Sequence, residues 1–216
     1  MIFANIAGVK IPEGEVVKIA SGGVTLWEAV TDGLPAGYEQ CEYIQFSAKQ
    51  QVDTGIVPTQ ATKIEIEFTR ETSSAQYMYG VRNSNNTASV TAYLSNSGAW
   101  RFGNTYRNHT LAVDVKHTAI VDATGINMDG DKNSYVGTVK SFTANSTLTL
   151  GATRGTSGGL GTPQFTGKIY SFKMWDADKL LAEYIPCRNP DGVYGFWDNV
   201  ERVFRASEGT GDFTGG

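Results

Sequence analysis

The sequence predicts an all-β protein, a sandwich or jelly roll of two packed sheets with a small β unit in front of it. Apolar and polar residues alternate at period two in many short runs, the pattern of strands with one buried face. The breaks between these runs are too short for a crossover helix, so neighbouring strands should pair antiparallel. With 25 glycines, 20 Tyr and Phe residues (10 of each) and only 19% charged residues in 216, the composition favours many turns and aromatic-rich strands.

Residues 1–30 form the predicted N-terminal unit, and residues 31–37 form a linker. Strands are predicted at Val9–Gly14, Glu15–Ile19 and Val24–Trp27, with turns between them. Two or three strands bury too little area to be stable alone. Their apolar side chains therefore need another surface to cover them. That surface is either the sandwich or another protein. The side chains to be covered are Val9, Ile11, Val17, Ile19, Leu26 and Trp27.

Residues 38–216 form the predicted sandwich, and its turn signals have the spacing expected of a sandwich or jelly roll. Its first strands are predicted at Cys41–Phe46, Thr62–Thr69, Tyr77–Val81, Ser89–Leu94, Ala99–Phe102, Thr118–Asp122, Gly125–Met128 and Ser146–Leu150. Gly151–Gly161 is predicted to be a glycine-rich loop. Asp176–Tyr184 is the one stretch that admits a helical turn, so the helix content should be very low.

The last third of the chain predicts a meander of hairpins. Apolar runs cover Tyr170–Met174, Leu180–Cys187 and Val193–Trp197. Asp176–Lys179 supplies turn residues between the first two runs, and Arg188–Gly192 separates the next two. Arg188–Gly192 is a strong breaker, because Pro fixes φ and lacks a donor while Gly accepts positive φ.

Several motifs along the chain carry a family resemblance. They are Leu34-Pro-x-Gly37-Tyr38, Glu42-Tyr-Ile44, Asp53-Thr-Gly55, Phe165-x-Gly167-x-Ile169-Tyr170, Tyr184-Ile-Pro-Cys-Arg-Asn-Pro190, Gly192, Gly195, Asp198, Phe204 and Gly209-Thr-Gly211. Together they resemble the laminin-G/concanavalin A-like sandwich domains in tail and other virion proteins of phages and prophages of Gram-positive bacteria. The resemblance implies a concanavalin A-like jelly roll in a virion. It implies no reaction, because these residues are turn formers and core aromatics.

A second resemblance concerns the N-terminal unit. Its Val9-x-x-Pro12-x-Gly14 and Leu26-Trp27 strings are similar to the openings of phage structural proteins. This implies that residues 1–30 are an anchor onto other virion proteins. The protein would then be synthesised in the host cytoplasm and become part of the virion, displayed on a tail, baseplate or capsid surface.

Charge and composition exclude several partners. A net charge of −4 without a basic patch argues against nucleic acid as a ligand. The N-terminus lacks the features of a signal peptide, and no run reaches the roughly 20 apolar residues of a membrane span. Cytosolic synthesis favours free thiols over a bond between Cys41 and Cys187, the only two cysteines. The number of copies in an assembly stays open.

Enzymes of this fold class include glycoside hydrolases, which act through a pair of carboxylates. Glu65 and Glu67 have the i, i+2 spacing that gives the roughly 5 Å separation of a retaining hydrolase. The laminarinase-type enzymes of this fold carry a longer Glu-x-Asp-x-x-Glu run, which is absent here. The pair is explained as the solvent face opposite an apolar stripe, so no catalytic residue is predicted and the chain is expected not to be an enzyme.

The metal-ligating residues are also sparse. His109 and His117 are too few and too far apart in sequence for an obvious metal or acid–base site. Asp129–Asn133 resembles a calcium loop, but its twelfth position is Lys140 where a bidentate Glu is needed. A β-turn is the better interpretation. No metal and no cofactor are predicted, although calcium held by scattered ligands leaves no sequence signal.

The predicted ligand site uses three side chains: Arg82, Tyr93 and Arg101. They alternate with apolar residues of three neighbouring runs, so they should share one exposed sheet face, whereas Tyr77 and Tyr79 are predicted to face the core. Guanidinium groups bind carboxylates and phosphates, and a Tyr ring offers a flat face to a sugar. We therefore predict adhesion to a host-surface glycan that carries uronate or phosphate. The alternatives are a decoration protein without a ligand and a glycoside hydrolase.

Overall fold

The structure is a computed structural model that describes residues 18–21, 24–28, 33–156 and 158–216. The chain divides into two compact units, Met1–Pro35 and Ala36–Gly216, and the boundary falls within segment 31–37.

The described part of the first unit is a hairpin. Strand β1 (Lys18–Ser21) pairs antiparallel with β2 (Val24–Glu28), and Ile19 lies opposite Trp27 in the register. Ile19 therefore belongs to β1, and Leu26 and Trp27 belong to β2. Three other predicted anchor residues, Val9, Ile11 and Val17, lie outside the described residues, as does the predicted strand Val9–Gly14. The anchor assignment stays a prediction.

The second unit consists of strands and turns, with no helix among its described residues. Its strands are β3 (Glu39–Gln40), β4 (Ile44–Ser47), β5 (Val52–Asp53), β6 (Thr62–Arg70), β7 (Gln76–Val81), β8 (Ser89–Leu94), β9 (Gly98–Gly103), β10 (Thr105–His109), β11 (Lys116–Asp122), β12 (Gly125–Met128), β13 (Asp131–Asn133), β14 (Thr149–Leu150), β15 (Thr153–Arg154), β16 (Leu160–Gly161), β17 (Thr166–Asp176), β18 (Lys179–Arg188), β19 (Tyr194–Asp198), β20 (Val203–Arg205) and β21 (Thr214–Gly215). None of the described segments is a helix that would span a lipid bilayer.

These strands form two sheets. The front sheet has the order β10-β9-β8-β7-β14-β5, with β15 paired to β7 and β16 paired to β15. The back sheet has the order β13-β12-β11-β6-β17-β18-β19-β20, with β3 paired to β18, β4 to β17 and β21 to β4. The predicted all-β, two-sheet jelly-roll sandwich is therefore confirmed.

One pairing between the named strands departs from the expected antiparallel pattern. Strand β14 runs antiparallel to β7, whereas β15, a few residues later, runs parallel to it at Arg154 and Val81. The chain reverses direction at Gly151, whose φ of 81° suits glycine. The stretch Gly151–Gly161, predicted as a loop only, thus contributes two short strands to the front sheet.

The core lies between the two sheets and is dominated by aromatic side chains. Strand β6 shows the predicted alternation, with Ile64, Ile66 and Phe68 fully buried. Trp100 of the front sheet is also fully buried, and its ring lies 6.1 Å from Phe68 and 6.0 Å from Tyr79, measured between centroids. Tilted and edge-on contacts of this kind add to the stabilisation that comes from area burial.

Two predicted turns are confirmed. Asp129 and Gly130, with φ of 53° and 94°, form a two-residue hairpin loop between β12 and β13. Ala177 and Asp178 connect β17 to β18, so the stretch that admitted a helical turn is a hairpin. Other boundaries differ from the prediction: of the run Cys41–Phe46 only Ile44–Phe46 is strand, as part of β4, and the strands β3, β5, β10, β13 and β21 were not predicted.

The two cysteines are close but unbonded. Cys187 pairs with Gln40 in the register, and the Cys41 amide donates to the Pro186 carbonyl at 3.0 Å. Burial raises the pKa of Cys187 to about 12, and burial, followed by the charge of Glu39, also raises the pKa of Cys41. Both groups are therefore thiols at neutral pH, and a thiol is a poor nucleophile.

Candidate functional site

The three predicted ligand residues meet in one groove on the outer face of the front sheet. Strand β8 lies between β7 and β9, as the prediction required, and Thr91 is opposite both Gly80 and Arg101. Arg82, Tyr93 and Arg101 are each an even number of residues from these positions, so they share their face. They line a groove of about 320 Å³, termed the Arg–Tyr groove. Its other lining residues are Tyr77, Asn86, Thr91 and Ala99.

Tyr77 was predicted to face the core, and this prediction is wrong. A bulge between Tyr77 and Tyr79 shifts the register of β7 against β8. Met78 and Tyr79 are both fully buried as a result, whereas Tyr77 turns outward, where its ring lies 4.7 Å from that of Tyr93. A bulge adds one residue to a strand and so reverses the facing of every residue on one side of it. The groove therefore contains two contacting tyrosine rings instead of one.

The same face extends onto β10 through Tyr106, another residue that the sequence pattern did not indicate. Tyr106 lies opposite Arg101 in the register and is 39% exposed. The Arg101 guanidinium carbon lies 5.4 Å from the centre of the Tyr106 ring, within cation–π range. At the other end of the groove, Arg82 Nη1 donates to the Tyr77 hydroxyl at 2.9 Å. Each arginine is thus positioned by a tyrosine.

Neither arginine of the groove forms an ion pair among the described residues. Arg154 and Arg205, by comparison, pair with Asp53 at 2.9 Å and with Asp198 at 3.4 Å. The residues that line the groove include no Asp or Glu. A protein of net charge −4 therefore carries a local positive site with two guanidinium groups available to an anion. In addition, the buried Asn86 Oδ1 has no hydrogen-bond partner within the described part of the chain.

The carboxylates Glu65 and Glu67 lie on the other side of the molecule, on the outer face of the back sheet. Glu67 pairs with Lys116 at 2.8 Å. Glu65 lies opposite Lys173, whose Nζ binds Glu183 at 2.8 Å. These carboxylates belong to a surface of paired charges, as expected for the solvent face of β6.

The two histidines were predicted to be too far apart to form a joint site, but they line the same depression. Its volume is about 280 Å³, and Asp129 and Asp131 also line it. The loop between β10 and β11 passes from the front to the back sheet and so brings His109 and His117 to one edge of the sandwich. His117 Nδ1 lies 2.6 Å from Asp129 Oδ2. Within residues 33–156 and 158–216, however, no three ligating side chains are placed to hold a metal ion.

The pKa values of this cluster are shifted by different causes. Burial, assisted by the charge of Arg107, lowers the pKa of His109. Burial alone would raise the pKa of Asp129, but hydrogen bonds from His117 and from the Thr118 amide outweigh it and hold that pKa below its usual 3.8. The folded chain therefore favours the ionised form of Asp129.

Replacing Asp129 by Asn is expected to reduce stability at neutral pH only slightly. The pKa of Asp129 is lower in the folded state than in the unfolded state. Its stabilising contribution is therefore present above the unfolded-state pKa of 3.8 and is lost as the pH falls through the folded-state pKa. The carboxylate is 46% exposed, so solvent screening limits the loss to about 0.5–1 kcal/mol. Urea unfolding at pH 6 and pH 2.5 measures the difference in the free energy of unfolding between the wild type and the variant. Asp131→Asn is the control, and a difference that persists unchanged at pH 2.5 contradicts the assignment.

A scan against protein-family models gives no match, and a search of curated proteins gives none either. Among solved structures, the chain is similar to mouse laminin alpha1 chain, domains LG4-5, with 13% sequence identity and a TM-score of 0.39. The match covers 81% of this chain and 50% of the laminin chain, so the chain spans about half the length of that structure.

Proposed function

We propose that this chain is a non-enzymatic surface protein of a phage virion and that its Arg–Tyr groove binds an acidic glycan on the host cell. One observation carries the binding proposal. Two guanidinium groups that form no ion pair with any described residue flank two contacting tyrosine rings in a groove without a carboxylate among its lining residues. The assignment to a virion rests on the motifs between Leu34 and Gly216 and their resemblance to phage proteins.

The chemistry of the groove fits a sugar acid. A planar carboxylate accepts two parallel hydrogen bonds from a guanidinium group, and a phosphate offers the same geometry. The Tyr77 and Tyr93 rings provide apolar surface for the carbon-bound hydrogens of a sugar ring, and their hydroxyls provide polar partners. A neutral glycan would leave both arginines without a counter-charge. An acidic one satisfies them.

A glycan array that carries neutral and acidic bacterial polysaccharides tests this proposal. We expect the wild-type protein to retain glycans with uronate or phosphate groups and to ignore their neutral counterparts. Tyr93→Ala should lower the affinity roughly fivefold, because stacked or packed aromatic contacts contribute about 1 kcal/mol. Tyr170→Ala, which removes a half-buried tyrosine from the back sheet, is the matched control. Equal retention of neutral and acidic glycans would sink the proposal and leave decoration without a ligand.

The groove supports binding without catalysis. Glycoside hydrolysis requires an acid and a base or nucleophile on either side of the scissile bond. The carboxylates Glu65 and Glu67 project from the opposite face of the sandwich, where Glu67 is already paired with Lys116. We infer that bound glycan is held and released unchanged.

We further propose that residues 1–30 attach the sandwich to other virion proteins. The division of the chain into two compact units after Pro35 supports this proposal, because it separates a small unit from the sandwich. A variant that lacks residues 1–30 should unfold cooperatively at nearly the wild-type temperature and yet be absent from purified particles. Calorimetry and immunoblotting of the particles provide the two measurements. Loss of cooperative unfolding would mean that the segment is part of the sandwich and not an anchor.

A further inference from the structure

A second depression adjoins the Arg–Tyr groove on the same sheet. Its volume is about 350 Å³, and it lies between the loop after β7 and the stretch that contains β15 and β16. Tyr77 and Arg82 line both depressions. Arg82 therefore lies on the boundary between the two depressions. Tyr77, whose hydroxyl accepts a hydrogen bond from Arg82, lies on the same boundary.

The second depression differs in chemistry from the first. Arg82 is its one charged lining residue among those described. Hydroxyl groups predominate instead, from Ser84, Thr153, Thr156 and Thr162. Leu160 adds an apolar side chain that is 37% exposed. Hydroxyls around one apolar contact suit the hydroxyl groups and the ring face of a sugar unit.

Thr153 gives this depression an unsatisfied polar group. The residue is only 3% exposed, and its Oγ1 has no hydrogen-bond partner in the described segments. The glycine at position 80 leaves room for this side chain, because a β-carbon there would lie 2.8 Å from Thr153 Oγ1 and 2.8 Å from Thr91 Cγ2. A buried hydroxyl without a partner is costly, and a ligand hydroxyl would satisfy it. This observation is independent of the arginines.

We propose that the two depressions are consecutive subsites for one acidic oligosaccharide of at least two sugar units. One acidic unit lies in the Arg–Tyr groove between Arg82 and Arg101. The next unit lies in the second depression and places its hydroxyls against Thr153 and Ser84. The inference rests on the proposed function and specifies it: the ligand is a chain, and a single sugar acid occupies only half of the site.

Affinity should therefore depend on chain length. Two units held in tandem bind more tightly than one, because the second contact is made within the same complex. Oligogalacturonates are suitable probes, since each unit carries one carboxylate and the lengths are defined. We expect the trimer to bind the wild-type protein at least roughly tenfold more tightly than the monomer in isothermal titration calorimetry.

A pair of variants separates the two subsites. Ser84 is exposed and lines only the second depression, so Ser84→Trp should fill it and remove the gain of the trimer while the monomer binds as before. Ser73→Trp, at an exposed serine that lines neither depression, is the matched control and should keep the gain. Arg101→Gln should weaken both lengths, because Arg101 lines only the Arg–Tyr groove.

The outcomes distinguish the second subsite from the glycan-binding function on which it rests. Equal affinity of monomer and trimer, with both weakened by Arg101→Gln, overturns the second subsite and leaves the glycan-binding groove in place. A trimer gain that survives Ser84→Trp also overturns it. If neither the monomer nor the trimer binds, the second subsite and the proposed function are overturned together.

Discussion

Replacing Arg82 and Arg101 together by Gln is expected to lower the affinity for acidic glycans by roughly 30-fold. Each guanidinium contributes a charge-assisted hydrogen bond on a partly exposed face, for which about 1 kcal/mol is a reasonable value. Two such losses correspond to about 2 kcal/mol and hence to that factor in Kd. Neither side chain has an ion pair among the described residues, so the change should leave the folded state nearly as stable as before.

Salt dependence provides the second part of this prediction. The wild-type affinity should fall as NaCl rises from roughly 50 to 500 mM, because partly exposed charges are screened, and the double variant should lose most of this dependence. Lys140→Gln/Lys179→Gln is the control, since it removes two exposed charges outside the groove. Should that control lose as much affinity as the arginine variant, binding would follow the net charge of the protein and not the groove.

Replacing Trp100 by Ala is expected to destabilise the sandwich strongly. Trp100 is fully buried between the sheets and contacts Phe68 and Tyr79. Truncation of a buried aromatic residue removes its transfer free energy and leaves a cavity, which lowers the free energy of unfolding by roughly 3–5 kcal/mol. For a chain of this size the melting temperature should fall by roughly 8–15 °C.

Trp175→Ala is the matched control for this measurement. Trp175 lies on the outer face of the back sheet, half-buried, with Lys63 Nζ 4.3 Å from its ring centre. Its removal leaves no enclosed cavity, so a loss of about 1 kcal/mol or less is expected. Calorimetry of both variants provides the comparison. Similar losses for the two tryptophans would contradict the position of Trp100 at the centre of the core.

Most of the sandwich was predictable, because its long central strands alternate regularly. Strand β6 is the clearest example: Ile64, Ile66 and Phe68 are all buried, as their spacing requires. The adjacency of β7, β8 and β9 was also predictable from the short loops between them. Residue spacing alone therefore sufficed to place Arg82, Tyr93 and Arg101 on one face.

The bulge in β7 shows why the rest of the groove could not be predicted. Tyr77, Tyr79 and Val81 follow an unbroken period-two pattern, so the sequence indicates one common face. Whether a strand carries an extra residue depends on its neighbour, here the register of β7 against β8. A local pattern does not contain this information. The sole signal was Met78, an apolar residue at a position that alternation assigns to the solvent.

Strand β10 and the histidine depression were missed for a related reason. Thr105–His109 has no apolar alternation, because its exposed face carries Tyr106 and Asn108 and its other face carries polar side chains. It is a strand because it pairs with β9, at the edge of the front sheet. The proximity of His109 to His117 follows from the path of a connecting loop, which residue spacing does not reveal.

A crystal structure of the protein with trigalacturonate would test the Arg–Tyr groove as the ligand site most directly. We expect a carboxylate within hydrogen-bond distance, roughly 2.7–3.1 Å, of the guanidinium groups of Arg82 or Arg101. We also expect a sugar ring against Tyr77 or Tyr93. Density for the ligand elsewhere, in the histidine-lined depression or on the outer face of the back sheet, with an empty Arg–Tyr groove, would contradict this assignment.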